Sequence, residues 1–336
     1  YEDLPFTTYW LPGDWGWDSW EISVLPGTPP GKYDIELTVF DRDTLVVQTL
    51  TAADGSIVGP TVIIGQILIE KPAVAPEFAP QYKADAVFAQ APLRLVGFNQ
   101  SQADVIPGSP LLISLFLEKL AAADDPSFNL NHEIWLADET GNKVQSWPIM
   151  FGRDGYRIVD WASGDRVLSQ HEVWLRADIV SGEYRFGIGD VLLETVTINA
   201  PLMVADEPAD ITHKNGQMWE NGIELIGFNL DGSAETLALE FVWQTDQFVE
   251  TSYRIFVHLL DEDGTIQAQS DHVPADWIRP TTGWRPGEYI TDPHEMLLPV
   301  NGSWDHILVG LYDPQTGNRL KTVTGEDSFV AFEFDR

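Results

Sequence analysis

The stretch LRLVGFN at residues 93–99 recurs as IELIGFN at residues 223–229. In each copy, apolar and polar side chains alternate at the start, which is the pattern of a β-strand that buries one face. The chain has 336 residues and is longer than one hydrophobic core usually organises. The repeated strand therefore predicts a tandem array of β-rich units.

Two further signatures recur in the same order. Residues 136–141 (LADETG) match residues 259–264 (LLDEDG), and Asp/Gly turns of this kind close β-hairpins. A tryptophan three residues before a turn glycine occurs three times, and each time a glutamate follows eleven residues after the tryptophan. These tryptophans are Trp10, Trp161 and Trp284, and we expect all three to be core residues.

The order and spacing of these signatures divide the chain into two complete units and one partial unit. Residues 73–201 and 202–336 each carry the full set, whereas residues 1–72 carry only the later half. Proline spacing predicts extended linkers at residues 71–76 and 200–201. The many short alternating segments predict an all-β fold of tandem Ig-like or jelly-roll β-sandwich repeats, of which the first is incomplete.

Half of a β-sandwich leaves a sheet edge and an apolar face uncovered. We therefore expect another chain or an upstream domain to complete residues 1–72. The chain starts at Tyr1 with neither a methionine nor a basic leader segment, and we expect this start to result from processing or truncation.

The composition excludes several classes of function. The formal net charge is −33, from 52 acidic against 19 basic residues, and such a chain cannot neutralise phosphates as nucleic-acid binding requires. The absence of cysteine excludes disulfides, thiolate metal sites and a cysteine nucleophile. No apolar run reaches the roughly 18 residues of a spanning helix, so we predict no transmembrane segment in this chain. This composition, acidic and without cysteine, is typical of a bacterial extracytoplasmic surface protein.

No catalytic constellation is recognisable in the sequence. His171-Glu172 and His294-Glu295 begin like a zinc-protease motif, but neither has the second histidine four residues after the first, and both segments alternate as strands. A Gly-x-Ser-x-Gly nucleophile turn is absent. We expect no enzyme activity and no cofactor. A glycan-active enzyme with paired acids stays an alternative, because the sequence cannot nominate a pair among 52 acidic residues.

The acidic turns are the candidate metal sites. Asp261 and Asp263 cluster on one turn and Asp138 lies on its counterpart, and carboxylate oxygens are ligands that calcium prefers. Neither turn has the alternating ligand spacing of a calcium-binding loop. The sequence therefore favours plain hairpin turns, with structural calcium as the alternative.

Tryptophans near the N-terminus are the candidate ligand-binding residues. Trp15 and Trp17 share one face of a predicted strand, and Trp20 follows them. Flat aromatic faces stack on the apolar side of sugar rings, which predicts a carbohydrate-binding surface. The alternative is that these side chains cover the open half-sandwich.

Three stretches of the last unit carry a resemblance to a known family: FVHLLDEDG at residues 256–264, PTTGWRPGE at 280–288 and GLYDPQTGNRL at 310–320. They resemble the β-sandwich repeats on the C-terminal side of bacterial, especially Chloroflexi-type, membrane proteins similar to protein mannosyltransferases. The middle unit matches more loosely. The resemblance implies a soluble extracytoplasmic region downstream of a membrane-embedded glycosyltransferase, whose catalytic acids would lie in upstream loops.

These observations predict a non-catalytic accessory or structural region of a cell-surface or membrane-anchored protein. It would be either a glycosyltransferase-like ectodomain or a subunit of a surface assembly. A carbohydrate-binding module is the alternative from a different class.

Overall fold

The computed structural model describes residues 16, 19–40, 50–52, 57–59, 61–89, 91–120, 132–233, 235–299 and 302–334. In these residues the regular structure is β-strand, apart from two short 3-10 turns at Ile158–Asp160 and Thr281–Gly283. The prediction of an all-β fold is confirmed.

The N-terminal part forms a hairpin. Its strands are β1 (Gly31–Thr38), β2 (Leu50–Thr51), β3 (Ile57–Gly59) and β4 (Thr61–Ile69). Strands β1 and β4 pair antiparallel, with Gly31 opposite Ile69, and we call this pair the N-terminal hairpin. The short strands β2 and β3 pair with each other within the connection between β1 and β4.

Two larger groups of strands follow. Unit 1 consists of β5 (Tyr82–Val87), β6 (Leu93–Gln100), β7 (Asp104–Val105), β8 (Pro110–Lys119), β9 (His132–Ala137), β10 (Lys143–Ile149), β11 (Gly152–Arg153), β12 (Tyr156–Arg157), β13 (Arg166–Trp174), β14 (Gly182–Ile188) and β15 (Val191–Ile198). Unit 2 consists of β16 (His213–Met218), β17 (Ile223–Gly232), β18 (Thr236–Thr245), β19 (Arg254–Leu260), β20 (Ile266–His272), β21 (Ile290–Leu297), β22 (His306–Tyr312) and β23 (Phe329–Glu333).

The two units share one sheet topology. Unit 1 has the sheets β5-β6-β8-β13 and β10-β9-β14-β15, with β7 added in parallel beside β15. Unit 2 has the sheets β16-β17-β18-β21 and β20-β19-β22-β23 in the corresponding order. After one extra leading strand, the chain follows the A-B-C-C′-E-F-G path of an Ig-like sandwich. Of the two predicted architectures, the Ig-like one is present.

The repeated GFN sequence has a physical reason in each unit. A β-bulge precedes Gly97, and a Cβ there would lie 2.4 Å from the carbonyl oxygen of Tyr82 on the neighbouring strand. The following Phe98 enters the core, and Asn99 accepts the backbone N–H of Gln81 at 2.6 Å. Unit 2 repeats this arrangement with Gly227, Phe228 and Asn229, the last accepting the backbone N–H of Thr212 at 2.9 Å.

The repeated tryptophans anchor the two cores. Trp161 and Trp284 are both buried, and each donates its indole N–H to the carbonyl five residues earlier, Tyr156 in unit 1 and Arg279 in unit 2. A buried indole needs such a partner because an unpaired N–H would cost free energy. The core prediction is confirmed for these two residues, while Trp10 lies outside the described residues.

A tyrosine identifies the N-terminal hairpin within the Ig-like path. Tyr184 on β14 donates its hydroxyl to the carbonyl of Val180 at 3.0 Å, which is the tyrosine corner of strand F in Ig-like domains. Tyr33 on β1 makes the same bond to Pro29 at 2.8 Å. The pairing register shifts close after each tyrosine, between Ile35 and Glu36 on β1 and between Arg185 and Gly187 on β14. The hairpin therefore corresponds to strands F and G.

Specific backbone contacts join the successive parts of the chain. The N-terminal hairpin meets unit 1 where Leu168 donates its N–H to the carbonyl of Gly27 at 2.7 Å. Unit 1 meets unit 2 at Gly108, whose carbonyl accepts the hydroxyl of Thr282. A Cβ on Gly108 would lie 2.2 Å from the backbone of Gly283, so only glycine permits this approach.

We predict that Gly108→Ala weakens the junction between the units. Gly108 has a φ of +82° and Gly141 has a φ of +86°, but nothing lies within 4 Å of a Cβ at Gly141. Both alanine variants should lose about 1–2 kcal/mol of unfolding free energy from left-handed strain. Gly108→Ala should lose at least about 1 kcal/mol more through the clash. Urea unfolding and limited proteolysis of residues 201–206 measure this, and equal losses in the two variants would contradict it.

Candidate functional site

The inner face of the N-terminal hairpin is the first candidate site. On β1, Leu37 corresponds to Ile188 on β14, because both lie four residues after the corner tyrosine. Ile188 is completely buried, whereas Leu37 is 41% exposed. On the outer face the two hairpins behave alike, since Ile63 is 56% exposed and its counterpart Leu192 is 58% exposed. The two hairpins thus differ in the exposure of their inner face, which is the face that covers the core in unit 1.

The acidic turns bind their own backbone. Asp138 Oδ1 accepts the backbone N–H groups of Thr140 and Asn142, both at 2.9 Å, and the hydroxyl of Thr140. The bond from the Thr140 hydroxyl, followed by the backbone bond from Asn142, lowers the pKa of the Asp138 carboxyl. Asp261 Oδ1 likewise accepts the N–H groups of Asp263 and Thr265, at 3.0 and 2.8 Å. These contacts are those of hairpin turns, as the sequence favoured. Calcium binding at Asp138, Asp261 and Asp263 stays a prediction.

The candidate sugar-binding tryptophans are only partly described. Trp20 is 81% exposed and lies in a segment without regular structure before β1. Trp15 and Trp17 lie outside the described residues. The prediction of a stacking surface at these three positions therefore stays a prediction.

A buried group of His272, Asp292 and His294 is the strongest cluster of reactive side chains in the described residues, and the only group of three whose potential ligand atoms converge, within 4.8 Å. His272 ends β20 and the other two lie on β21, so the cluster joins the edge strands of the two sheets of unit 2. Asp292 Oδ2 lies 3.0 Å from His294 Nε2, and Asp292 Oδ1 lies 4.0 Å from His272 Nδ1. The imidazole rings stack with centroids 4.0 Å apart.

Hydrogen bonds hold this cluster in place. The indole N–H of Trp243 donates to Asp292 Oδ2 at 3.2 Å, and the backbone N–H of Ala275 donates to Asp292 Oδ1 at 2.7 Å. The hydroxyl of Ser270 lies 2.9 Å from His294 Nδ1. Because a carboxylate can only accept, His294 Nε2 carries the proton toward Asp292 and the Ser270 hydroxyl donates to Nδ1.

The loop behind the cluster has an unusual backbone. Ala275, Asp276 and Trp277 have φ values of 55°, 53° and 70°, a conformation that costs free energy for residues other than glycine. Trp277 covers the guanidinium of Arg254 at 5.0 Å and approaches the ring of His272. The bond from Ala275 to Asp292 helps to hold this loop, so the buried carboxylate and the strained backbone depend on each other.

The same loop borders a groove between the two units. The groove has a volume of 520 Å³, which is within the range of small-molecule sites. Its walls contain Trp174 from unit 1 and Trp277 from unit 2, with Arg254, Asp313 and Gln315 as polar groups. An aromatic side chain on each side of a polar cleft is an arrangement that suits a sugar ring.

Unit 1 has only part of the histidine cluster at the equivalent positions. Counted from the anchor tryptophan of each unit, Asp292 corresponds to Ser169 and His294 to His171. Ser169 Oγ lies 2.9 Å from His171 Nε2, as Asp292 Oδ2 lies beside His294 Nε2 in unit 2. Counted from the repeated Gln-Ser pair, His272 corresponds to Pro148.

The sequence alone does not reveal this cluster, because its members come from two strands, β20 and β21, that lie in different sheets. Residues 171–174 and 294–297 lie in the strands β13 and β21, which agrees with the predicted alternation, and residues 175 and 298 follow the strand ends. A usable signal existed in the sequence. Comparing the two units position by position shows an extra carboxylate and an extra histidine at equivalent places in unit 2.

No family model matches the chain, and no curated protein is similar to it. Among solved structures, it is similar to a DUF3823 family protein from Bacteroides ovatus, with 11% identity, 64% of this chain and 94% of that one covered, and a TM-score of 0.20. It is also similar to a Salmonella alpha-2-macroglobulin mutant, with 11% identity, 88% and 19% covered, and a TM-score of 0.22. A third is the chicken CNTN1 FN1-FN3 domains, with 9% identity, 91% and 99% covered, and a TM-score of 0.24. At these TM-scores the fold class rests on the strand order alone.

We predict that His171 makes unit 1 sensitive to acid. Burial lowers the pKa of His171 to about 4 from an unfolded value of 6.5. Below pH 6.5 the unfolded chain therefore binds a proton that the folded chain does not bind, and stability falls until about pH 4. The loss attributable to His171 is up to about 3 kcal/mol.

The test is urea unfolding of the wild type and of His171→Gln, which keeps a partner for Ser169. Near pH 8 both side chains are neutral, and the difference in unfolding free energy between the two proteins there serves as the reference. Toward about pH 4 the wild type should lose more unfolding free energy than His171→Gln. Parallel pH profiles would contradict the prediction.

Proposed function

We propose that the chain is a non-catalytic, extracytoplasmic interaction region whose N-terminal hairpin receives the strands of a further Ig-like unit. The observation that supports this most directly is the incomplete burial of the inner face of the hairpin, on which Leu37 is exposed and Ile35, Val62 and Ile67 are only partly buried. The tyrosine corner assigns the hairpin to strands F and G, and in unit 1 the same two strands bury that face against the sheet β5-β6-β8-β13.

The occupant we propose is a set of β-strands with alternating apolar residues, equivalent to strands A, B and E of an Ig-like unit. Leu37 and Ile35 on β1, with Val62 and Ile67 on β4, occupy the positions whose equivalents in unit 1 enter the core. A large apolar face gains roughly 25 cal/mol for each Å² that it removes from water. Such a face is therefore matched by an apolar sheet rather than by a polar ligand. Strand addition to exposed sheets is a known mode of assembly.

An extracytoplasmic location agrees with the acidity, the absence of cysteine and the all-β architecture. In the described part of the chain, no helix is long and apolar enough to cross a membrane. The similarity to ectodomain repeats of mannosyltransferase-like membrane proteins adds a more specific proposal. If the chain is such an ectodomain, the strands that cover the hairpin belong to an upstream part of the same polypeptide. If the chain is a subunit of a surface assembly, they belong to another chain.

Photo-crosslinking from the inner face tests this proposal. A photoreactive amino acid replaces Leu37 in the native assembly, and mass spectrometry identifies the crosslinked peptide. We expect a peptide with the alternating pattern of a β-strand. Its origin in the same polypeptide distinguishes an ectodomain from a surface subunit, in which it would come from another chain.

The matched control is the same photoreactive residue at Ile63, which is similarly exposed but on the outer face. Crosslinking of equal yield at the two positions would contradict the proposal. So would an adduct at position 37 to a peptide without an alternating strand pattern.

A second candidate function is carbohydrate binding at the groove between the units, because Trp174 and Trp277 both line it. We expect Trp174→Ala to lower the affinity for a glycan identified on a glycan array by at least tenfold, which corresponds to about 1.4 kcal/mol. Trp20→Ala is the parallel variant for the N-terminal surface. An array without binding, or wild-type affinity in both variants, would rule out this function at these residues.

A further inference from the structure

We propose that His272, Asp292 and His294 form a binding site for a divalent transition-metal ion, with Zn²⁺ as the reference ion, between the two sheets of unit 2. This site is independent of the N-terminal hairpin and of the groove between the units. Its occupation would join the edge strands β20 and β21, which belong to different sheets.

The donor set defines the class of metal. Two imidazoles and one carboxylate suit Zn²⁺ and its neighbours in the first transition row, whereas Ca²⁺ and Mg²⁺ prefer oxygen ligands alone. Ligand bonds to Zn²⁺ are about 2.0–2.2 Å long, so ligand atoms on one ion lie roughly 3–4 Å apart. Asp292 Oδ2 lies 3.0 Å from His294 Nε2 and Asp292 Oδ1 lies 4.0 Å from His272 Nδ1, within that range, and the three ligand atoms lie within 4.8 Å of one another, so the ion has to draw them slightly together.

Unit 1 indicates that the fold does not require these side chains. At the equivalent positions of unit 1, Ser169 and His171 contact each other within β13, and Pro148 stands in place of the second histidine. Unit 2 instead buries a carboxylate with no solvent exposure, and burying a charge is costly unless a partner compensates it. A cation between Asp292 and the two histidines would compensate that charge. Relative to unit 1, Asp292 and His272 thus supply ligands for such a cation.

The surroundings of the cluster resemble the outer shell of a metal site. Metal-binding histidines usually have the second ring nitrogen hydrogen-bonded, and metal-binding carboxylates are hydrogen-bonded in turn. His294 has Ser270 at its second nitrogen, and Asp292 receives bonds from Trp243 and Ala275. These bonds orient both groups before any ion binds.

Binding requires two local changes. The ion takes the place of the proton on His294 Nε2, and this proton moves to Nδ1, where the Ser270 hydroxyl turns to accept it, so the imidazole stays neutral. The two rings stack at an interplanar angle of 16°, and because an ion lies in the plane of each imidazole that binds it, the ring of His272 has to turn out of the stack. His272 is the last residue of β20 and its side chain is 12% exposed; the turn breaks the contact between its Nδ1 and the carbonyl of Val273 at 3.0 Å.

The experiment is a titration of the metal-free chain with Zn²⁺, and with Co²⁺ as a spectroscopic substitute, in an excess of Ca²⁺ that occupies surface carboxylates. We expect one ion per chain and visible Co²⁺ absorption that reports imidazole ligands. His272→Gln should lower the affinity by about 100-fold, the upper end of the loss seen when an outer-shell partner is removed. The variant should fold, because unit 1 folds with proline at the equivalent position.

The matched control is His171→Gln, which removes the equivalent histidine of unit 1 and should leave the affinity unchanged. Asp292→Asn is a second test, and His272→Gln remains decisive if Asp292→Asn does not fold. The proposal is overturned if the wild type binds Zn²⁺ no more tightly than His272→Gln. It is equally overturned if His171→Gln loses as much affinity as His272→Gln.

Discussion

A β-sheet with an apolar face needs a second layer over that face, and this constraint organises the whole chain. Units 1 and 2 satisfy it internally, because each folds its strands into two sheets around a continuous buried core. The buried indole of Trp161 or Trp284 lies in that core and is tied to the backbone by its own N–H. In the described strands of the N-terminal hairpin this covering is incomplete, since Leu37 is exposed and Ile35, Val62 and Ile67 are only partly buried, and for that reason the hairpin is the proposed interaction surface.

The two units also act as controls for each other. Since they share a topology, a tyrosine or tryptophan present in both marks what the fold requires, as the repeated GFN strand does at its bulge. A residue present in one unit alone marks what has been added. By this comparison, Asp292 and His272 exceed the structural requirement. The loops that precede β13 and β21 differ in the same way. In unit 1 the first residues with positive φ after β10 are glycines, Gly152 and Gly155, whereas in unit 2 the first after β20 are the non-glycine residues 275–277.

Close approach between units limits what the chain tolerates at its junctions. Gly108 and Gly283 bring two backbones into contact that a single Cβ would separate. The carbonyl of Pro201 accepts a guanidinium N–H of Arg285 at 2.9 Å, so the predicted linker is bonded to the unit that follows it. A groove lined by both units exists only because of this junction, and its ligand-binding capacity depends on it.

The sequence by itself determined the strand pattern, the repeats and the core tryptophans of both described units, because alternation and turn residues are local signals. It also predicted that residues 1–72 carry only the later half of a unit. Tertiary structure alone decided the Ig-like order of strands, since strands adjacent in a sheet are often distant in the chain. It alone brought His272 to Asp292 and His294, across two sheets whose packing no local pattern encodes. The acidic turns show the converse case, in which a local pattern suggested a metal and the same local geometry supplies backbone partners for Asp138 and Asp261.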